Sequence, residues 1–227
     1  MTFADQVIMY HDTLDFTGSL PDQISIMNPY KSSLQIREIA RAFYDKFYGD
    51  DQKRHLILGI NPGRLGAGST GIPFTDTKRL ASVCGIPWED SDTHEPSSVF
   101  VYRLIEAFGG PEAFYSRFYI NSVCPLGFTI TNAAGKEINY NYYDRPDLQA
   151  AVYPFIVENI RRLLDMPCRN DKVFCLGTGK NFKFLKKLND EYGFFGKVIP
   201  LEHPRYVMQY KAKEADRYID DFVKLLG

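Results

Sequence analysis

Nowhere in the 227 residues does an apolar run approach the ~20 residues that a membrane helix needs. No partnership with a membrane is therefore expected. The first sixteen residues hold Asp5, Asp12 and Asp15 and no lysine or arginine, so they read as neither a signal peptide nor an anchor. Cysteine is scarce: Cys84, Cys124, Cys168 and Cys175 are the only four, and no two form a CxxC pair. This spacing suggests neither a zinc site nor an iron–sulfur cluster. Cys124 and Cys175 lie in strand-like runs and read as buried thiols in a reducing cytoplasm. Internal repeats, low-complexity tracts and linkers are missing as well, so one domain over 1–227 is expected. A large charge surplus is also lacking, since 27 Lys and Arg face 28 Asp and Glu. The balance is uneven along the chain, however. From Asp171 to Gly227 eleven basic residues face eight acidic ones, a surplus of three positive charges on an otherwise acidic body. A basic quarter of this kind is compatible with a phosphate-contacting face.

Hydrophobic residues make up 44% of the chain, enough to bury a full core at this length. Apolar positions Ile36, Ile39, Ala40, Phe43 and Phe47 recur at spacings of three and four, which predicts an amphipathic helix over 34–48. Ser32 or Ser33 caps its start and Gly49 ends it. Continuous apolar runs at 55–60, 118–123, 173–176 and 198–201 predict strands covered on both faces. Helical patterns near 97–108, 148–165, 180–192 and 212–226 lie between and after them. Alternation of this kind predicts an α/β fold: a three-layer α/β/α sandwich around a small parallel sheet, mainly of four strands. Residues 1–50 are expected to form a helical N-terminal extension packed on it. The polar, aromatic, turn-rich segment 127–146 is expected to leave the sheet as an excursion containing a hairpin.

Three short segments follow or end the strand-like runs. They are Gly59–Gly63 continuing to Phe74 (GINPGRLGAGSTGIPF), Asn121–Leu126 (NSVCPL) and His203-Pro204. In a parallel sheet, ligands bind beyond the carboxyl ends of the strands, which is where these segments would meet. Two amides, an aromatic ring and an imidazole there suit a flat, hydrogen-bonding ring such as an extruded nucleobase. Other readings of the glycines are weaker. Gly66, Gly68 and Gly71 fit a bare GxGxxG, but Pro73 follows too soon for the long helix of a dinucleotide site. Gly179-Lys180 is followed by Asn181 where a phosphate loop needs Ser or Thr. The turn is better read as backbone that admits close approach of a flat ligand or phosphate.

With these motifs the chain resembles the uracil-DNA glycosylase superfamily, and within it the single-strand-selective monofunctional type. The resemblance implies a monofunctional enzyme that hydrolyses the N-glycosidic bond of uracil in DNA at the start of base excision repair. No metal or organic cofactor is implied, and the partner is uracil-containing DNA, single- or double-stranded. A bacterial, cytoplasmic, monomeric protein is expected. By resemblance Asn61 positions the attacking water, His203 hydrogen-bonds uracil O2, Phe74 stacks on the base and Asn121 reads its edge. The Ile60 backbone also donates to the base. Gly63 stands against C5, where other branches carry a bulky aromatic residue, so 5-hydroxymethyluracil is an expected second substrate. After His203-Pro204 the chain departs from the family's usual Ser-Pro. Arg205 and Lys211 are expected on phosphates, with Tyr206 or Met208 entering the base stack. Two alternatives stay open: a binding protein that kept the pocket and lost the chemistry, or a member specific for another deaminated base. A small-molecule nucleoside hydrolase would need carboxylates to grip ribose, and the three motifs hold no Asp cluster.

Overall fold

A computed structural model describes residues 1–88 and 92–227. Along the chain the elements are α1 (Phe3–Asp12), β1 (Ile24–Met27), α2 (Pro29–Ser32), α3 (Leu34–Tyr48), β2 (Arg54–Gly59), α4 (Ala67–Thr70) and α5 (Thr77–Ser82). Next come α6 (Pro96–Ala107), α7 (Pro111–Tyr115), β3 (Phe118–Ser122), β4 (Gly127–Thr131), β5 (Glu137–Tyr140) and α8 (Pro146–Asp165). The last are β6 (Cys168–Leu176), α9 (Lys180–Tyr192), β7 (Val198–Leu201), α10 (Pro204–Tyr210) and α11 (Ala215–Leu226). The four predicted strands pair in parallel in the order β3-β2-β6-β7, with helices on both faces. No helix is long and apolar enough to cross a membrane among the described residues.

Both faces of this sheet are apolar, which is why its strands read as unbroken runs. On one face Tyr119 packs edge-on against Phe3 and Tyr48, so α1 and the end of α3 become part of the core. Arg162 of α8 lies over the Tyr10 ring of α1 and bonds its carbonyl. On the other face Ile57, Ile120, Leu176 and Leu201 meet Phe100 of α6, Phe114 of α7 and Phe222 of α11. Three predicted helices are found within two residues of their expected ends, and α3 spans 34–48 as predicted. The last helix begins three residues late, because Ala212–Glu214 forms a 3-10 turn first. Residues 1–50 differ from the helical expectation at one place. Ile24–Met27 is a strand, paired antiparallel with β4, and with β5 it completes a small second sheet. The hairpin expected within 127–146 is β4–β5.

The carboxyl ends of the parallel strands are tied together by backbone. Val123 N–H donates to Gly59 O at 2.9 Å, Cys124 N–H to Ile60 O at 3.1 Å and Gly177 N–H to Leu201 O at 2.7 Å. Asn181, buried in the first turn of α9, adds a side-chain clamp. Its Nδ2 donates to Leu176 O at 3.0 Å and Gly59 O at 3.3 Å, bridging the ends of β6 and β2. Its Oδ1 accepts the Tyr142 hydroxyl at 2.8 Å. Tyr142 is fully buried, so its hydroxyl has no water to fall back on. Tyr142→Phe leaves a buried acceptor unpaired and should cost about 1–3 kcal/mol in urea unfolding. A loss below about 0.5 kcal/mol would show that the clamp is not under tension from this side.

Candidate active site

A cleft of about 270 Å³ opens at the carboxyl edge of the parallel sheet. Ile60, Asn61, Gly63 and Phe74 of the first motif, Ser122 of the second and His203 of the third line it. Arg205, Tyr206, Gln209 and Tyr210 of α10 form one rim, and Asn139, Asn141 and Tyr143 another.

Asn61 is fixed by the segment that follows β5. Its Nδ2 donates to Tyr140 O at 3.2 Å and to Pro62 O at 3.3 Å, while its Oδ1 accepts Tyr142 N–H at 3.1 Å. A backbone donor on one side and a backbone acceptor on the other define which end of the amide is oxygen. That oxygen keeps a second lone pair for a water. Phe74 sits at φ 54°, a left-handed conformation costly for an aromatic residue. Its ring passes over the end of β2, where a Cβ on Gly59 would stand 3.0 Å from it. The ring centroid lies 5.9 Å from that of His203.

His203 is the N-cap of α10. Its Nδ1 accepts the Arg205 N–H at 3.1 Å, so the neutral ring carries its proton on Nε2. Burial, helped by the Arg205 charge, lowers its pKa from 6.5 to about 4. At neutral pH the site thus holds an uncharged imidazole with one committed donor.

Three residues expected at the site do not line the cleft: Asn121, Met208 and Lys211. Asn121 is buried away from the cleft: its Nδ2 donates to the Tyr119 hydroxyl at 3.0 Å and its Oδ1 accepts Ser122 N–H at 2.7 Å. Ser122, one residue on and facing the opposite side of the strand, takes the place at the wall. Period-two counting does not reveal this, because both faces of β3 are buried. At the rim, Arg205 and Tyr206 are in place, but Met208 and Lys211 do not line the cleft. Met208 packs on the core, and Lys211 caps α10 and pairs with Glu214 at 3.0 Å. Gln209 and Tyr210 were missed. Once His203-Pro204 is read as the N-cap and first position of a helix, Tyr206 and Tyr210 fall one turn apart on a single face. Their rings stand 5.5 Å apart and both are exposed.

The glycine turn also differs from expectation. Gly71 and Gly68 face the protein's own Ile36, Tyr30 and Met27, so close approach there is internal packing. Within the turn, Gly63 and Ala67 line the cleft. In front of Gly63 lie Asn139 Nδ2 and the Glu95 carboxyl group, so the space opposite it is polar rather than empty.

Residues 46–227 match the model of the uracil DNA glycosylase superfamily. The crystal structure of wild-type SMUG2 from Pedobacter heparinus is similar over 99% of this chain and 97% of that one, at 57% identity and a TM-score of 0.97.

The tautomer of His203 is directly measurable. Its ¹⁵N shifts at pH 7 should show an Nε2–H ring that does not protonate until near pH 4. A folded pKa below the unfolded 6.5 means the unfolded chain binds the extra proton, so this group withdraws stability as pH falls from about 6.5 toward 4. A protonation midpoint above 6 would contradict the assignment.

Proposed function

Because the chain belongs to the uracil DNA glycosylase superfamily, in the branch that holds SMUG2, we propose that its cleft receives an extruded uracil and hydrolyses its bond to deoxyribose. The product is an abasic site in an uncut strand. The observation that carries this reading is the neutral His203, its Nε2–H free to face the ligand. As the glycosidic bond breaks, negative charge gathers on uracil O2 and the sugar becomes an oxocarbenium-like cation. A fixed donor at O2 strengthens in that state more than in the bound substrate, and so lowers the barrier. Asn61 Oδ1 accepts a hydrogen bond from the water that attacks C1′. An amide is not a base, so the water is held and the cation draws it in. Phe74 offers a ring face to the base. Lysine is not among the described residues lining the cleft, which supports hydrolysis over attack by an amine.

In this reading Arg205, on the cleft rim, binds a flanking phosphate, and the Tyr206–Tyr210 pair fills the gap left by the extruded nucleotide. A second reading, release of another deaminated base, is favoured by one observation. At the edge-reading wall Ser122 offers a hydroxyl, which donates or accepts by rotation, where an amide would demand a fixed pattern.

Asn61→Ala and His203→Ala should each slow uracil release by about 10²–10³ in single-turnover kinetics, with oligonucleotide binding nearly unchanged. Near-native rates in both variants would sink the site assignment. Salt titrations separate the rim residues. Arg205→Glu should reduce the slope of log K against log salt by about one, and Lys211→Glu should leave it nearly unchanged. Equal effects would put Lys211 back on the DNA.

A further inference from the structure

Tyr143 lines the cleft on the rim that follows β5, and the chemistry above does not use it. Its half-buried ring packs edge-on against that of the buried Tyr142, with centroids 5.0 Å apart. Lys180, the first residue of α9, holds its Nζ 5.7 Å from the centre of the Tyr143 ring. Arg205 reaches the same cleft from α10. Burial and the Asp144 charge push the Tyr143 pKa up to about 12, against the opposing pull of Arg205, so its hydroxyl stays neutral. Among the described residues, the Tyr143 hydroxyl, the Lys180 ammonium and the Arg205 guanidinium have no hydrogen-bond or ion-pair partner. Nearby carboxylates are engaged elsewhere. Asp144 accepts the Asn141 N–H at 2.9 Å, and Glu202 the Thr178 hydroxyl at 3.0 Å.

Two cations and a hydroxyl from α9, α10 and the segment after β5 offer donors with no acceptor among them. The matching ligand is an anion with several acceptor oxygens, and a backbone phosphate has that chemistry. The place is close to the reacting centre, since a Cβ on Gly177, in the loop entering α9, would stand 4.0 Å from His203 Cβ. Resting on the reading that DNA enters the cleft, we propose that Tyr143 and Lys180 join Arg205 in binding one backbone phosphate beside the extruded nucleotide. Tyr143, set in the cleft wall, fixes where the phosphate lies. Lys180, exposed and on a flexible stem, supplies charge rather than a fixed geometry. The damaged strand then crosses the cleft between α10 and α9. On this account α9 belongs to the DNA face, and part of the positive surplus of the last quarter of the chain has its use there.

The test measures binding of the full chain to an oligonucleotide holding a tetrahydrofuran abasic analogue, which has no base to release. Phosphates around the analogue are replaced one at a time by neutral methylphosphonates. In the parent, one position should weaken binding by about tenfold or more. Lys180→Gln and Tyr143→Phe should each weaken binding of the unmodified strand by about three- to tenfold. The methylphosphonate at the sensitive position should then cost either variant less than about threefold, because the partners are coupled. Lys180→Gln should also lower the slope of log K against log salt by about one, while Tyr143→Phe leaves it unchanged. Lys197→Gln, just before β7 at the far end of the sheet, should alter neither affinity nor slope. The inference is overturned if no position is sensitive in the parent, or if the penalty there is as large in both variants. A salt slope unchanged in Lys180→Gln also overturns it. Uracil release by the parent with unaltered binding in both variants removes this inference and leaves the glycosylase reading standing. A sensitive phosphate coupled to Lys180 and Tyr143 in a protein that releases no uracil does the reverse.

Discussion

The site depends on four parallel strand ends being held level with one another, and the buried amide of Asn181 is central to that. It bridges the carbonyls ending β2 and β6 and receives the Tyr142 hydroxyl. The Tyr142 N–H in turn reaches Asn61. One side chain thus links the sheet, the segment after β5 and Asn61, the residue proposed to hold the water. Such a chain of buried polar contacts is stabilising only when every member is satisfied, and here each is. Asn61, although on a loop, consequently inherits the rigidity of the sheet.

Electrostatics at the cleft follow from the same packing. Burial keeps His203 uncharged, and the α10 N-cap bond spends its Nδ1, leaving only a donor for the ligand. Burial keeps Glu95 partly protonated at neutrality. Without that effect a full negative charge would lie in a cleft proposed to receive a polyanion. Arg205, exposed at the rim, supplies the positive charge that the body of the protein lacks. A nearly neutral chain thus presents a site whose few charged groups are placed individually.

Much of the architecture was legible because strands buried on both faces leave unbroken apolar runs and their helices leave spacings of three and four. The parallel sheet, α3 and α9 could be read that way, as could the meeting of Asn61, Phe74 and His203. What stayed hidden was decided by tertiary contact. β1 is too short and too exposed to mark itself, and exists because β4 offers an edge. Asn121 and Ser122 are neighbours in a strand with no polar face, so their orientation had no signature. Asn181 was visible only as the residue that spoils a phosphate loop. Glu95, far from all three motifs, has no local pattern beyond standing at the N-cap of α6. The α10 rim was the one missed feature with a usable signal, since Pro204 at the first helical position predicts the helix that aligns Tyr206 with Tyr210.

The central claim is that this cleft breaks a glycosidic bond and nothing else. It is tested most directly by incubating the protein with an end-labelled oligonucleotide holding one uracil, then quantifying free uracil and strand scission before and after alkali. The account predicts one free uracil per abasic site, intact strands before alkali and complete scission at the uracil position after it. A gel shift with no free base would contradict it and leave a binding protein. Scission without alkali would contradict the hydrolytic mechanism.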